Sequence, residues 1–126
     1  MRPPGEMTRA SSTQDARRAL ALAIQAASDK KAENIVALDL RGVASFTDYF
    51  LICSGTSTRQ VQAIAEAILE TLEEHGTRPL HVEGETVAQW ILIDYGDLIV
   101  HVFEQSAREY YDLERLWRDA ERLPIP

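Results

Sequence analysis

The sequence predicts a mixed α/β fold, a single domain in which helices pack on a five-stranded sheet. Three observations carry this expectation. Short apolar, strand-like runs alternate with segments of helical periodicity, the pattern of layered α/β architectures. Residues 82–103, VEGETVAQWILIDYGDLIVHVF, then hold two strand-like runs joined at Asp94-Tyr95-Gly96-Asp97, where Gly96 supplies the positive φ of a tight hairpin. Finally, 126 residues of which 45% are hydrophobic suit one compact core.

The elements follow in order. Residues 1–12 contain two prolines, a glycine and scattered polar side chains without periodicity, and are expected to form a disordered leader before a domain spanning residues 13–126. From residue 13 to residue 30, Ala16, Leu20, Ala23, Ile24 and Ala27 recur at helical spacing. Residues 35–40 read as a strand. Residues 49–54, YFLICS, read as a second one, apolar enough to be buried on both faces. Gly55-Thr56-Ser57 ends that strand and opens a helix, with Ser57 and Gln60 at capping-box spacing. Its Val61, Ile64, Ala65, Ile68 and Leu72 form one stripe, Glu66, Glu70, Glu73 and Glu74 fall largely off it, and Gly76 stops it. A short strand at residues 79–82 precedes the hairpin strands at 90–94 and 97–103. Ser106 and Glu109 form a second capping box, opening a last helix whose Tyr110, Leu113, Leu116 and Trp117 share a face.

Charge narrows the function classes. The net charge is −7 and unevenly spread: residues 1–32 hold six basic and three acidic side chains, residues 33–126 seven and seventeen. The folded part therefore repels phosphate backbones and favours a basic protein surface, so DNA is not an expected partner and little direct contact with RNA is expected. The longest apolar runs are far below the ~20 residues of a membrane span, and the start lacks the apolar core of a signal peptide, so a cytoplasmic chain without membrane contact is expected. Cys53 is the only cysteine, which excludes an intramolecular disulfide and reads as a small buried hydrophobe.

Candidate sites are each weighed against simpler roles. Ser54-Gly55-Thr56-Ser57-Thr58-Arg59 places amides, hydroxyls and a cation at a helix N-terminus, the recipe for an anion site. It also looks like the Gly-Ser opening of a nucleotidyltransferase. Such enzymes need a pair of carboxylates one residue apart on the next strand to hold their metals. Here a long helix follows Gly55, and Glu83-x-Glu85 sits at a glycine bend, so helix capping is the favoured reading. His75, His81 and His101 share no ligand spacing, so no metal site and no cofactor are expected, and His101, alternating with Ile99 and Phe103, reads as a hydrogen-bonded core histidine. Turn chemistry explains Asp94 and Asp97 beside Gly96. A shared acidic rim of Glu83, Glu85, Asp94 and Asp97 would suit Lys and Arg on a partner. Alternation puts Trp90, Leu92 and Asp94 on one face and Gln89, Ile91 and Ile93 on the other; composition alone favours a core role for Trp90. Arg108, in the first turn of the last helix, opposes the local dipole and is expected to pair with hairpin carboxylates instead.

Taken with residues 48–60, DYFLICSGTSTRQ, and residues 107–117, AREYYDLERLW, the hairpin segment resembles the ribosomal silencing factor family, also called Iojap-like. The resemblance spans residues 32–119 and implies a mixed sheet of the nucleotidyltransferase-like type. It also implies a non-catalytic protein, associated with ribosomes, that docks on the large ribosomal subunit through ribosomal protein L fourteen and sterically blocks subunit joining, repressing translation. On that resemblance the tryptophan matching Trp90 lies on the exposed face that meets the ribosomal protein, with Tyr49 and Tyr95 as secondary candidates for the same face. The alternative from another class is a small nucleotidyltransferase-like or phosphate-binding enzyme built on Gly55 to Arg59. A third reading is a homodimeric interaction domain unrelated to ribosomes that uses the same apolar hairpin for self-association, and a homodimer of the free silencing factor is a further expectation.

Overall fold

The computed structural model describes residues 9–125, with side chains from Gln14 onward. Helix α1 (Arg9–Asp29) starts four residues before the expected boundary, so residues 9–12 of the expected leader are helical; residues 1–8 lie outside the described residues. Its inward positions, Ala16, Ala19, Leu20, Ala23, Ile24 and Ala27, are all buried. The many alanines let its backbone lie close against α2 (Thr58–Glu74), whose stripe of Val61, Ile64, Ala65, Ile68 and Leu72 is buried as expected.

The sheet contains β1 (Glu33–Asp39), β2 (Tyr49–Gly55), β3 (His81–Glu83), β4 (Trp90–Asp94), β5 (Leu98–Glu104) and β6 (Glu121–Leu123), in the order β3-β4-β5-β2-β1-β6. It is six-stranded, not five-stranded as expected. The added strand is only three residues, too short to show alternation, and it gains its regularity by pairing Ala37 with Leu123 and Asp39 with Glu121 on the free edge of β1. β2 and β5 run parallel, Tyr49 opposite Leu98 through Gly55 opposite Glu104, and every other pair is antiparallel. The β2 strand is buried along its whole length, as its unbroken apolar run predicts.

Gly84 makes the bend before β4 with φ +87°, and a Cβ there would sit 2.0 Å from the Trp90 carbonyl oxygen. Only glycine fits that approach, which is how the short edge strand reaches β4.

The two sheet faces are covered unequally. The helices α1 and α2 seal one face over Tyr49, Leu51, Cys53, Ile91, Ile93, Val100 and Val102. On the other, Leu38, Leu40, Phe50, Ile52, Ile99 and Phe103 form a smaller core under short elements. The expected last helix is in fact two pieces, α3 (Gln105–Tyr111) and α4 (Leu113–Leu116), split where Asp112 adopts φ 48°, ψ 53°. Asp tolerates that left-handed conformation better than most residues. The cap is Glu104 rather than Ser106, with the Glu104 carboxylate accepting from the Ser106 amide at 3.2 Å. Because of the break, Tyr110 and Leu116 do not share a buried face with Leu113 and Trp117; both point to solvent.

Candidate partner-docking surface

Strand alternation builds the surface. Along β4, Ile91 and Ile93 enter the helix-side core, leaving Trp90, Leu92 and Asp94 on the thinly covered face. Cross-strand pairing adds Phe103 opposite Trp90, His101 opposite Leu92 and Glu83 opposite Leu92 on the other side, so Glu83, Leu92 and Asp94 line the edge beside Trp90.

Trp90 is half-buried. Its ring stacks on Phe103 at 5.0 Å between centroids and touches Tyr111 at 4.7 Å. Its indole Nε1–H donates to Nδ1 of His101 at 3.1 Å. His101 is 4% exposed, and burial pushes its pKa down to about 3, so the imidazole is neutral at physiological pH. With Nδ1 accepting, the ring proton belongs on Nε2, which is buried and finds no protein partner. From His101 an aromatic seam continues through Phe50 at 4.6 Å to Trp117 and to Phe46 in the β1–β2 connection. Its ends are open: Phe46 is 55% exposed and Tyr111 49%. Sequence reasoning did not single out these two as surface residues. An aromatic in the otherwise small and polar stretch between β1 and β2 was the available signal for Phe46; for Tyr111 it was the Asp that follows it.

The acidic candidates differ in how they are held. Asp94 accepts the Gly96 amide at 2.8 Å, closing the turn, and is half-buried. Asp97 is also half-buried, and its carbonyl accepts the amides of Asp48 and Tyr49, both at 3.0 Å, which ties the hairpin turn to the start of β2. Glu83 is exposed, 3.3 Å from His81 Nε2. Glu85, also exposed, follows the Gly84 bend and its carbonyl accepts from Gln62 Nε2 of α2 at 3.2 Å.

Three expected site residues are placed elsewhere. Tyr49 is 0% exposed in the helix-side core, with the guanidinium carbons of Arg17 and Arg41 at 5.7 Å and 5.4 Å from its ring centroid. Tyr95 packs against the same core, and burial with a contribution from Glu73 raises its hydroxyl pKa to about 12. Both tyrosines are thus on the opposite side of the sheet from Trp90, because Tyr95 continues the parity of Ile91 and Ile93. Arg108 does not pair with hairpin carboxylates. It is buried where α3 crosses β1 and β2, donating to Glu114 at 2.9 Å, to the Asn34 carbonyl at 2.7 Å and to Ser54 Oγ at 2.8 Å.

The Gly55 to Arg59 segment is committed to capping. Ser57 Oγ accepts the Gln60 amide at 3.1 Å, and Gln60 Oε1 accepts the Thr56 amide at 2.7 Å. Gln60 Nε2 then donates to the Lys31 carbonyl at 3.1 Å, so the backbone amides of Thr56 and Gln60 are used within the fold. Among the described residues no group of three or more His, Cys, Asp or Glu side chains is placed to hold a metal ion, and no helix is long and apolar enough to cross a membrane.

Comparison with known proteins agrees with this architecture. The family model described as ribosomal silencing factor during starvation matches residues 13–126. A ribosomal silencing factor of Halalkalibacterium halodurans is 50% identical over 106 residues, covering 84% of this chain and 91% of that protein. A crystal structure from Bacillus halodurans superposes with a TM-score of 0.78 at 44% identity, covering 86% of this chain and 99% of the other. More distantly, a mouse protein named mitochondrial assembly of ribosomal large subunit protein 1 is 31% identical over 91 residues, 70% of this chain and 40% of that protein. A match over residues 13–126, joined to high identity over most of a relative's length, leaves one assignment: the chain belongs to the ribosomal silencing factor family.

Proposed function

We propose that this protein represses translation by docking on the large ribosomal subunit through ribosomal protein L fourteen and excluding the small subunit sterically. The observation that carries the reading is Trp90, a half-buried indole on the thinly covered face of a rigid sheet, edged by Asp94 and Glu83. Partly exposed tryptophans are typical binding hot spots, and a carboxylate edge selects a basic partner surface. The excess of acidic side chains over residues 33–126 opposes contact with rRNA and favours a ribosomal protein. The large subunit is also what the mouse relative's name says that protein assembles. No covalent step is required, because a body seated in an intersubunit contact zone makes two binding events mutually exclusive. The nucleotidyltransferase-like alternative loses support from the capping role of Thr56, Ser57 and Gln60.

Sucrose-gradient sedimentation with purified subunits tests the proposal. The chain is expected with isolated large subunits and absent from small subunits and joined ribosomes, and adding it before small subunits should lower the yield of joined particles. Equal recovery with small subunits, or an unchanged yield, would overturn it.

A further inference from the structure

We propose that His101 is a positioning residue for docking. It holds the polar edge of Trp90 inward, so that the indole offers a partner only its apolar edge and ring face. The complementary group is then a Lys or Arg whose aliphatic stem crosses the ring, rather than a carbonyl or hydroxyl that would take the indole N–H. This rests on the docking reading above.

The argument begins with what His101 does not do. It lies among Phe50, Phe103 and Trp90, where a Phe would fill the space without burying an unpaired N–H. Its Nε2 finds no protein partner, so as a core residue it is worse than an apolar one. The one protein contact that uses its polarity is the 3.1 Å bond from Trp90. Without that acceptor, a half-buried indole N–H would satisfy itself by turning toward solvent or toward the partner. With it, and with Phe103 and Tyr111 against the ring at 5.0 and 4.7 Å, the indole is held in one orientation before any partner arrives.

The partner chemistry follows from what is left exposed. The donor of Trp90 is used internally, and the register brings the Glu83 carboxylate to this face two residues along, opposite Leu92, with Asp94 farther along the same strand face. A long basic side chain meets both demands, its methylenes on the ring and its charge at the acidic edge.

The test uses the full chain and purified large subunits, with His101→Phe to fill the space without an acceptor and His101→Asn to keep an acceptor near the Nδ1 position. Affinity is measured beside exchange of the indole N–H resonances, the Trp90 signal being assigned by its loss in Trp90→Phe. We expect His101→Phe to weaken binding about tenfold, chiefly through faster dissociation, and to speed Trp90 N–H exchange. His101→Asn should stay within about threefold, as one retained hydrogen bond implies. In a Trp90→Phe background, His101→Phe should have no further effect on binding. Full affinity in a folded His101→Phe protein, or the same loss in the Trp90→Phe background, would overturn the inference. Should His101→Phe not fold, fast exchange of the Trp90 N–H in the unmodified protein, or a His101→Asn protein that folds but has lost its affinity, would overturn it instead. Failure of the unmodified chain to bind large subunits at all would overturn the docking reading and this inference with it, even with the Trp90 N–H protected.

Discussion

Burial of His101 should make the fold sensitive to mild acid, and the size of the effect follows from the structure. The folded-state pKa is lowered to about 3 by desolvation, whereas in the unfolded chain the imidazole titrates near its ordinary value of 6.5. Between those values the unfolded chain binds a proton that the folded chain excludes. The stability associated with neutral His101 is therefore complete above about pH 6.5 and is lost as pH falls toward about 3. Each pH unit inside that window costs about 1.4 kcal/mol, so at pH 5 the loss is about 2 kcal/mol relative to pH 7.5. The informative quantity is the difference between the unmodified chain and His101→Phe, since the two share every other ionisable group. Urea unfolding at pH 7.5 and pH 5, with linear extrapolation, supplies it. The unmodified chain should lose about 2 kcal/mol more than the variant over this interval. Parallel pH dependences, within about 0.5 kcal/mol, would show that the folded protein accepts the proton at His101, and would refute the buried neutral imidazole on which the Trp90 contact depends.

Four further outcomes are expected. Trp90→Ala should weaken large-subunit binding by about 2 kcal/mol or more, with a smaller loss of folding stability because the ring is only half-buried; melting and binding on one sample separate the two effects. Glu83→Arg combined with Glu85→Arg should slow association several-fold at low salt and converge with the unmodified rate at high salt, as stopped-flow mixing would reveal. Gly84→Ala should destabilise the fold by about 2 kcal/mol or more in urea unfolding, since its φ is +87° and the new Cβ meets the Trp90 carbonyl oxygen at 2.0 Å. Arg108→Met should cost about 3 kcal/mol in the same assay, because it strands the buried Ser54 hydroxyl and removes the Glu114 ion pair.

The fold was legible where one period dominated a long segment. The β2 run is apolar at nearly every position and proved buried throughout, and the α2 stripe from Val61 to Leu72 is the set of residues that packs on the sheet. The hairpin was equally clear, since Gly96 with φ +91° sits where the turn demands it. Elements decided by tertiary context were not legible. β6 exists because β1 has a free edge, and nothing in Glu121-Arg122-Leu123 declares a strand by itself. The break at Asp112 was hidden because Tyr110, Leu113, Leu116 and Trp117 keep helical spacing across it. A left-handed residue changes the direction of the chain without changing the count.

The proposed docking face was legible in part, and the residues the sheet places elsewhere share one physical origin. Period two says that Trp90 and Tyr95 point to opposite faces of the sheet, but the spacing of Tyr49 relative to either depends on how β2 is registered against β5. That register places Tyr49 opposite Leu98, among side chains that face α1 and α2. Tyr49 and Tyr95 were thus grouped with Trp90 although the sheet separates them from it, while the rings that do surround Trp90, Phe103 and Tyr111, lie 13 and 21 positions away in the chain. Arg108 was misassigned for a related reason. A charge on a helix is usually solvated, and only the crossing of α3 over β1 and β2 turns this one inward to Ser54 and Asn34. What remained readable was the parity within β4 itself. Trp90, Leu92 and Asp94 must share a face whatever the strand pairs with, so the proposed anchor and one carboxylate on its face follow from five consecutive residues.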